Sequence, residues 1–331
     1  MKQITHYLET GSTDPFYNLA FEEYVLTHRQ EGDYLLLWQN NNAIVIGQNQ
    51  NTEAEINRAF VEAHKIHVVR RSTGGGAVYH DLGNLNYSFI TDEENAEQIT
   101  IKHFTEPVVR ALKGLELDAE SSGRNDILVD GRKVSGTAQR LKEGRILHHG
   151  TLLFDSNLEM VAGALNVDPE KFRSKGTKSV RSRIGNIRPC LPHDMTLPEF
   201  WTYLKTALAG GGLTMERLSP GELAAVETLK REKYDTWEWN FGRSPKYDMR
   251  NKRYWDGGML EAAAAVEKGR ITSLHFWGDF LAVDSMEPVL QELRECRFER
   301  EQVRDVLRRF PLTRYFGAIT EEEILETLFG F

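Results

Sequence analysis

Three consecutive glycines at positions 74–76 constrain this chain more than any other feature, because they strip the side chains from one patch of backbone. Arg70 and Arg71 stand just before them. Apolar segments typical of β-strands flank this stretch, at 66–69 and 85–90. We therefore predict a turn between strands, in which backbone N–H groups and guanidinium groups can enclose an anion.

The glycine-rich turn does not by itself identify a ligand. It is not a Walker A loop, because no Gly-Lys-Ser/Thr follows, and it is not the Gly-x-Gly-x-x-Gly fingerprint of dinucleotide sites. A tight hairpin with a surface pair of arginines explains the turn alone equally well.

Composition excludes several classes of protein. A length of 331 residues suggests two domains, and a net charge of -8 argues against a general nucleic-acid binder. No apolar run approaches the roughly 18 residues of a membrane span, and the N-terminus lacks an apolar signal core. The only cysteines, Cys190 and Cys296, exclude a disulfide framework and a cysteine-rich zinc site. We expect a cytoplasmic protein that binds neither nucleic acid nor membrane.

Strand and helix signals alternate along the first two thirds of the chain. The Asp130-Gly131 pair predicts a type I′ hairpin, and a second turn is expected at 142–144. The polar segment around 243–252 suggests a domain boundary, so we predict domains at 1–244 and 253–331 with a linker at 245–252. Other expected segments are helices at 14–26, 54–65, 99–114, 156–165 and 197–208, strands at 34–38 and 43–46, a loop at 175–184, and paired strands at 258–266 and 270–276.

Lys133 is the leading candidate for chemistry, since it follows the hairpin turn and small residues follow it. Its ammonium group could neutralise charge that develops in a transition state, although a solvated strand lysine has the same pattern. His148 and His149 point to opposite faces of their strand, so at most one of them can face a shared pocket. Asp126 could hold Mg²⁺ or merely begin a strand.

Hydrolase and thiol chemistry are disfavoured. The chain has no Gly-x-Ser-x-Gly nucleophile elbow, and both cysteines lie outside the glycine-rich region.

The chain resembles bacterial lipoate–protein ligases of the A type over nearly its whole length. Four ordered motifs carry the resemblance, and Trp237-Glu238-Trp239-Asn240-Phe241-Gly242 adds to them. The motifs are Arg70-Arg71-Ser72-Thr73-Gly74-Gly75-Gly76-Ala77-Val78-Tyr79-His80-Asp81-Leu82-Gly83-Asn84, Gly123-Arg124-Asn125-Asp126, Arg132-Lys133-Val134-Ser135-Gly136-Thr137-Ala138 and His148-His149-Gly150-Thr151-Leu152-Leu153.

The resemblance implies a fold and an activity. The fold is α+β, with a biotin/lipoate ligase-like catalytic domain built on a mixed β-sheet flanked by helices, followed by a small α+β accessory domain. The activity joins lipoate to ATP, with Mg²⁺, to form lipoyl-AMP and pyrophosphate. The lipoyl group then passes to one lysine of an acceptor domain, on the E2 subunits of 2-oxoacid dehydrogenases or the H protein of glycine cleavage.

The resemblance also assigns residues. It implies that Lys133 contacts both the lipoyl carboxylate and the α-phosphate. The residues implied for the nucleotide are Arg71, Gly76, Ala77, Val78 and Tyr79. Those implied for lipoate are Leu19, Trp38, Arg71, Gly75, Lys133 and His149. Those of a basic loop that folds over the adenylate are Lys178, Ser179, Val180 and Arg181.

Three alternatives stay open at this point. A lipoyl- or octanoyltransferase of the same fold would use a cysteine nucleophile, which residues 1–189 lack. A biotin ligase would carry a different glycine-rich loop. A binding protein without catalysis would keep the fold and bind lipoate without releasing pyrophosphate.

Overall fold

An eight-stranded mixed sheet forms the centre of the N-terminal part of the chain. The computed structural model describes residues 6–92, 101–122, 125–165, 183–209, 212–241, 249–267 and 269–330. The two pairings that involve β1 are parallel and the others are antiparallel. In spatial order the strands are β11 (Thr214–Met215), β1 (His6–Glu9), β2 (Tyr34–Trp38), β6 (Asn84–Asp92), β10 (Arg145–Leu153), β9 (Arg132–Lys142), β8 (Asp126–Val129) and β7 (Ala119–Ser122).

A second, three-stranded sheet contains the glycine-rich turn. Its order is β4 (His67–Arg70), β3 (Ala43–Ile46) and β5 (Val78–His80), with β3 parallel to β4 and antiparallel to β5. The glycines therefore join two strands that flank β3 and do not pair with each other. The turn between strands is confirmed and the tight hairpin is excluded. The short strand β5 lies between the turn and the strand that we expected directly after it.

Helices cover both faces of the large sheet. The first, α1 (Pro15–His28), begins where the sequence predicted, with the Asp14 carboxylate accepting a hydrogen bond from the Phe16 N–H at 2.9 Å. The others in this part are α2 (Thr52–Glu55), α3 (Arg58–Ala63), α4 (Ile101–Lys113), α5 (Leu158–Ala164), α6 (Leu197–Ala209), α7 (Pro220–Leu229) and α8 (Trp237–Asn240), with a π-helical turn at Lys230–Tyr234 and a 3₁₀ turn at Arg188–Cys190.

The two faces bury different cores because strand side chains alternate. Helix α1 packs on one face, where Leu19 lies in a cluster with Leu36 and Trp38. Helices α4 and α6 pack on the other, where Phe104 and Phe200 belong to one cluster.

Both predicted turns that connect β8, β9 and β10 are confirmed. Asp130 and Gly131 have φ angles of 49° and 72°, and Glu143 and Gly144 have 51° and 76°. Consecutive positive φ values identify the type I′ geometry that matches the twist of antiparallel strands.

The prediction of one continuous helix at 54–65 is wrong, because the structure has two short helices there, α2 and α3. Ile56 forms a β-bridge to Leu165, and the N–H of Asn57 donates to the carbonyl of Ala164. The Asn57 side chain then caps α3 by accepting from the N–H of Phe60. Tertiary pairing with the end of α5 thus overrides local helix propensity. Most of the loop expected at 175–184 lies outside the described residues.

A smaller unit follows, built on an antiparallel sheet of β12 (Met249–Trp255), β13 (Gly258–Glu267) and β14 (Arg270–Gly278). The predicted pairing of the last two strands is confirmed. Because β12 begins at Met249, the last four residues assigned to the linker form strand, and 245–248 lie outside the described residues. The helices of this unit are α9 (Glu287–Leu293), α10 (Arg300–Leu307), α11 (Leu312–Phe316) and α12 (Glu321–Phe329).

The end of β14 and the segment that follows it lie against the N-terminal unit. The N–H of Gly278 donates to the Asn49 carbonyl at 2.7 Å, and the N–H of Leu141 donates to the Val283 carbonyl at 2.8 Å. Among the helices that the structure describes, none combines the length and apolar character needed to cross a bilayer.

We expect Gly83→Ala to lower the free energy of unfolding by about 2 kcal/mol, because overpacking of a dense interior costs this order of energy. A Cβ atom at Gly83 would lie 2.1 Å from the carbonyl oxygen of Asp155. Urea unfolding followed by circular dichroism measures the change. Gly221→Ala is the matched control, since nothing lies within 4 Å of its added Cβ and alanine favours helix. Equal stabilities of the two variants would contradict the close approach.

Candidate active site

One cavity lies between the large sheet, helix α1 and the small sheet that carries the glycine-rich turn. Its empty volume is about 580 Å³, including the part open to solvent, which is in the range of small-ligand sites. Apolar and polar residues share its lining. The lining residues are Leu19, Trp38, Val45, Arg71, Gly76, Ala77, Val78, His80, Asn86, Asn125, Lys133, Gly136, Thr137, Ala138, His149, Gly150 and Thr151.

Strand register builds the floor of this cavity. Trp38 on β2 is opposite Asn86 on β6, which is opposite Thr151 on β10. Side chains in one such row point to the same face of the sheet. The alternation also separates the two histidines. His149 lines the cavity, whereas His148 is buried on the other face, where its ring stacks on Phe104 at 4.8 Å.

A register shift brings Lys133 to the cavity. Opposite Ile127 and Leu128 of β8, strand β9 carries Ser135 and Lys133, so Val134 is an extra residue. Such a bulge reverses the alternation of side chains. A Cβ at Gly136 would therefore lie 3.2 Å from the Lys133 Nζ. The small residues after Lys133 leave room for its side chain to fold along the strand.

The Lys133 ammonium group forms an ion pair with Asp126, with 2.7 Å between Nζ and Oδ1. Both side chains are about one-third exposed, at 36% and 30%. The lysine is thus half-buried at the cavity wall beside one carboxylate. Within the described ranges, no group of three or more His, Cys, Asp or Glu side chains could hold a metal ion by itself.

The three glycines of the turn have different surroundings. A Cβ at Gly74 would lie 3.0 Å from the Phe280 carbonyl oxygen, so the absence of a side chain here allows the C-terminal unit to pack closely against the turn. Gly75 has a φ of +87°, and its N–H donates to that same carbonyl at 3.2 Å. Only Gly76 lines the cavity. One backbone donor that we expected to bind an anion is therefore engaged by the protein.

Arg70 does not line the cavity, which differs from the expectation that both arginines enclose the anion. Its guanidinium group is buried and donates hydrogen bonds to five backbone carbonyls and one hydroxyl group. The acceptors are the carbonyls of Gly47, Gln48, Gln50, Trp239 and Asn240 and the Thr52 Oγ1. Burial lowers the pKa of Arg70 to about 10, so it stays charged at neutral pH.

Arg71 does line the cavity, but the protein occupies most of its donors. Its Nε donates to Thr73 Oγ1, and its Nη1 donates to the Val45 carbonyl. Its Nη2 donates to the carbonyls of Gly74 and Gly76 at 2.6 and 2.9 Å. Burial lowers the pKa of Arg71 to about 10. The guanidinium group thus holds both ends of the turn and keeps a positive charge at the cavity wall.

Two buried groups of the cavity are hydrogen-bond donors with no partner among the described residues. They are the Asn86 Nδ2 and the His80 Nε2. The Asn40 amide nitrogen lies 3.1 Å from the His80 Nδ1, which leaves the ring proton on Nε2. Burial, together with the nearby charge of Arg71, lowers the pKa of His80 to about 3, so its ring is neutral.

The structure brings together most of the residues that the sequence singled out. Leu19, Trp38, Arg71, Lys133 and His149 line one cavity together with residues 76–78. Three others do not line it. They are Gly75, Asp126, which touches Lys133, and Tyr79, whose hydroxyl group donates to Asn42 on the far side of the small sheet. The loop residues Lys178, Ser179, Val180 and Arg181 lie outside the described residues.

Sequence reasoning missed several lining residues. On β9 and β10, the period of two from Gly136 and His149 could have identified Ala138 and Thr151. For Asn86 and His80, no local signal exists, because their role depends on the pairing of distant strands.

Comparison with known proteins gives a consistent set of similarities. The family described as the lipoyl protein ligase A/B catalytic domain matches residues 14–209, and the bacterial lipoate protein ligase C-terminus matches residues 244–328. A lipoate–protein ligase of Bacillus subtilis is 44% identical over 321 residues, covering 96% of this chain and 97% of that protein. Lipoate–protein ligase 1 of Staphylococcus aureus is 40% identical, covering 96% and 97%.

Solved structures agree in fold. The LipL1 protein of P. falciparum in complex with lipoate superposes with a TM-score of 0.81 at 21% identity, covering 97% of this chain and 99% of that chain. A bi-partite lipoate protein ligase of Thermoplasma acidophilum, studied with its E2 lipoyl domain, has a TM-score of 0.64 at 28% identity, covering 75% and 100%. Lipoate–protein ligase A bound with ATP has a TM-score of 0.62 at 27% identity, covering 73% and 99%.

We expect stability to fall as the pH is lowered from about 6.5 towards 3, with His80 as one cause. The folded state keeps this ring neutral while the unfolded chain takes up a proton below its ordinary pKa of about 6.5. For one histidine the loss between pH 7 and pH 5 is about 2 kcal/mol. Urea unfolding at both pH values measures it. His80→Gln removes the titrating group, so this variant should lose less stability between the two pH values, by about the same 2 kcal/mol. A loss equal to that of the wild type would contradict the role of His80.

Proposed function

The chain belongs to the lipoate–protein ligase family, and we propose that its cavity binds lipoate and ATP, forms lipoyl-AMP there and transfers the lipoyl group to a lysine of an acceptor protein. The observation that carries this proposal is the single cavity shared by the half-buried Lys133, the Arg71 side of the glycine-rich turn and an apolar wall. The match to both family regions and the 44% identity over nearly the full chain support it.

The apolar wall suits the lipoyl chain. Leu19, Trp38, Val45 and Val78 are the large apolar side chains of the lining, and an alkyl tail gains free energy when such surface covers it. The lipoate carboxylate would then lie at the polar end, towards Lys133. We infer that Leu19 and Trp38 contact the lipoyl tail, with His149 and Arg71 bordering the same slot.

The chemistry explains why a cation is needed at Lys133. A carboxylate oxygen of lipoate attacks the α-phosphorus of ATP, a new P–O bond forms, and the bond to the β-phosphate oxygen breaks to release pyrophosphate. Two anions approach each other in this step, so positive charge that is in place beforehand lowers the barrier. We infer that Lys133 contacts both the carboxylate and the α-phosphate, with Arg71 and the backbone of 76–79 on the nucleotide.

In the second step the amine of an acceptor lysine attacks the carbonyl carbon of lipoyl-AMP. An amide bond forms and AMP leaves.

Asp126 fits a role as one ligand of Mg²⁺. Magnesium usually takes one or two carboxylates together with phosphate oxygens and water, so a single carboxylate beside the Lys133 ammonium is compatible with an ion that arrives with the nucleotide. When bound, the ion would neutralise phosphate charge. Asp126 would then exchange its partner from Lys133 to the metal.

The acceptors are proposed to be lipoyl domains of 2-oxoacid dehydrogenase E2 subunits and the H protein of glycine cleavage. The study of the Thermoplasma acidophilum ligase together with its E2 lipoyl domain supports the first class. The resemblance implies that the target lysine lies on a small acceptor domain.

We expect purified protein to exchange pyrophosphate into ATP only when lipoate is present, with biotin as the inactive control. Lys133→Met should lower this exchange by about 100-fold to 1000-fold, the loss typical for one transition-state donor. Lys142→Met, at the other end of the same strand, is the matched control. Exchange of wild-type magnitude in Lys133→Met would refute the assigned role. No exchange with transfer from a protein thioester would indicate an acyltransferase, and lipoate binding alone would indicate a silent binding protein.

We expect Trp38→Ala to shift substrate preference towards bulkier carboxylates, since the indole is 3% exposed and fills part of the slot. The ratio of kcat/KM for an aryl-substituted alkanoate to that for lipoate should rise roughly tenfold. Trp201→Ala, on the other face of the large sheet, should lower stability without changing the ratio. An unchanged ratio in Trp38→Ala would remove this residue from the lipoate slot.

A further inference from the structure

A chain of buried hydrogen bonds begins at Glu22 on α1. This carboxylate is 2% exposed and lies 2.9 and 3.0 Å, through its two oxygens, from the Nδ1 of His149. It also accepts from the Ser88 hydroxyl at 2.5 Å, and Ser88 accepts from the Trp38 indole N–H at 2.9 Å. A carboxylate accepts only, so the ring proton of His149 lies on Nδ1.

The chain continues through the second nitrogen of the same ring. His149 Nε2 lies 2.8 Å from Thr73 Oγ1. The two atoms are hydrogen-bonded, and a ring whose Nε2 carries no proton accepts from the Thr73 hydroxyl group. The Thr73 oxygen in turn accepts from Arg71 Nε at 2.9 Å. This fully buried hydroxyl group therefore has two partners, His149 and Arg71.

Arg71 is the last member of this hydrogen-bonded chain, and it also binds the glycine-rich turn. Its Nη2 donates to the carbonyls of Gly74 and Gly76, the two residues that flank the positive φ of Gly75. The orientation of the guanidinium group fixes which way these carbonyls point, and therefore where the N–H groups and the small side chains of the turn face. Neither Glu22 nor Thr73 is among the residues that line the cavity.

We propose that Thr73 is a positioning residue for adenylate formation, and that the chain Glu22–His149–Thr73–Arg71 couples the slot for the acyl tail to the glycine-rich turn. The inference rests on the proposed function, because it assigns the two ends of the chain to lipoate and to nucleotide. A ligand that moves His149 at the tail end changes the hydrogen bond that orients the turn at the other end. Hydrogen bonds in a buried chain act together, so the loss of one member weakens the others.

The test compares Thr73→Val with Thr73→Ser. Valine keeps the shape and removes the hydroxyl group, whereas serine keeps the hydroxyl group and removes a methyl group. We expect Thr73→Val to raise the KM for ATP in the lipoate-dependent exchange by roughly tenfold, the loss typical for one buried hydrogen bond, and Thr73→Ser to stay within about twofold. Wild-type KM in Thr73→Val, or equal impairment of both variants, would overturn the proposal.

A double-mutant cycle separates coupling from general destabilisation. The combined effect of Glu22→Gln and Thr73→Val on the KM for ATP should be much smaller than the product of their separate effects, because either change breaks the same hydrogen-bonded chain. The matched control is Glu23→Gln, which removes the neighbouring buried carboxylate of α1. Glu23 binds Lys233 and Tyr234 instead of His149. Its effect on the KM for ATP should be small and should multiply with that of Thr73→Val. A multiplicative Glu22–Thr73 cycle would refute the coupling.

Two further measurements keep the test decisive. If Thr73→Val does not fold, Glu22→Gln alone should still raise the KM for ATP several-fold, and a wild-type value would overturn the proposal. If wild-type protein shows no lipoate-dependent exchange, the proposed function fails. In that case, calorimetric titration of the folded variants with ATP tests the positioning role on its own. Equal affinity of wild type and Thr73→Val would then refute it.

Discussion

The arrangement of the cavity depends on two adjacent guanidinium groups, those of Arg70 and Arg71, which are buried with no carboxylate partner among the described residues. Arg70 donates to carbonyls of the segment after β3 and of helix α8, and Arg71 donates to carbonyls of the glycine-rich turn. Removing such a charge from water is costly unless every donor is satisfied. The surrounding backbone must therefore converge on these donors, and that convergence holds the segment after β3, helix α8 and the glycine-rich turn against the small sheet.

The glycines are explained by packing as much as by ligand binding. Gly47 approaches the turn so closely that a Cβ there would lie 2.0 Å from the Gly75 carbonyl oxygen, and Gly74 leaves space for residues 280–282. The turn is thus enclosed by the N-terminal unit on one side and by the C-terminal unit on the other. Only Gly76 and the two residues after it face the cavity.

Much of the fold and of the candidate site could be predicted from the sequence, and the exceptions have physical causes. Local signals located α1, both type I′ turns and the last two strands, because capping and turn conformations depend on neighbouring residues. The break between α2 and α3 depends on a bridge from Ile56 to Leu165. Family resemblance identified Lys133 and Trp38, but not the position of Lys133 relative to Asp126, because a bulge on β9 decides which face the lysine takes.

By itself, the sequence determined the family, the glycine-rich turn and the residue types available for binding an anion and an apolar chain, since these follow from motifs that are contiguous along the chain. The tertiary structure alone decided that Arg70 stabilises the fold while Arg71 also borders the cavity, and that the Gly75 N–H is bound by Phe280. It also decided that Glu22, His149 and Thr73 form one chain. The contacts of Gly75 with Phe280, of Glu22 with His149 and of His149 with Thr73 each join residues more than fifty positions apart. Their existence depends on strand order and register, which no local stretch of sequence contains.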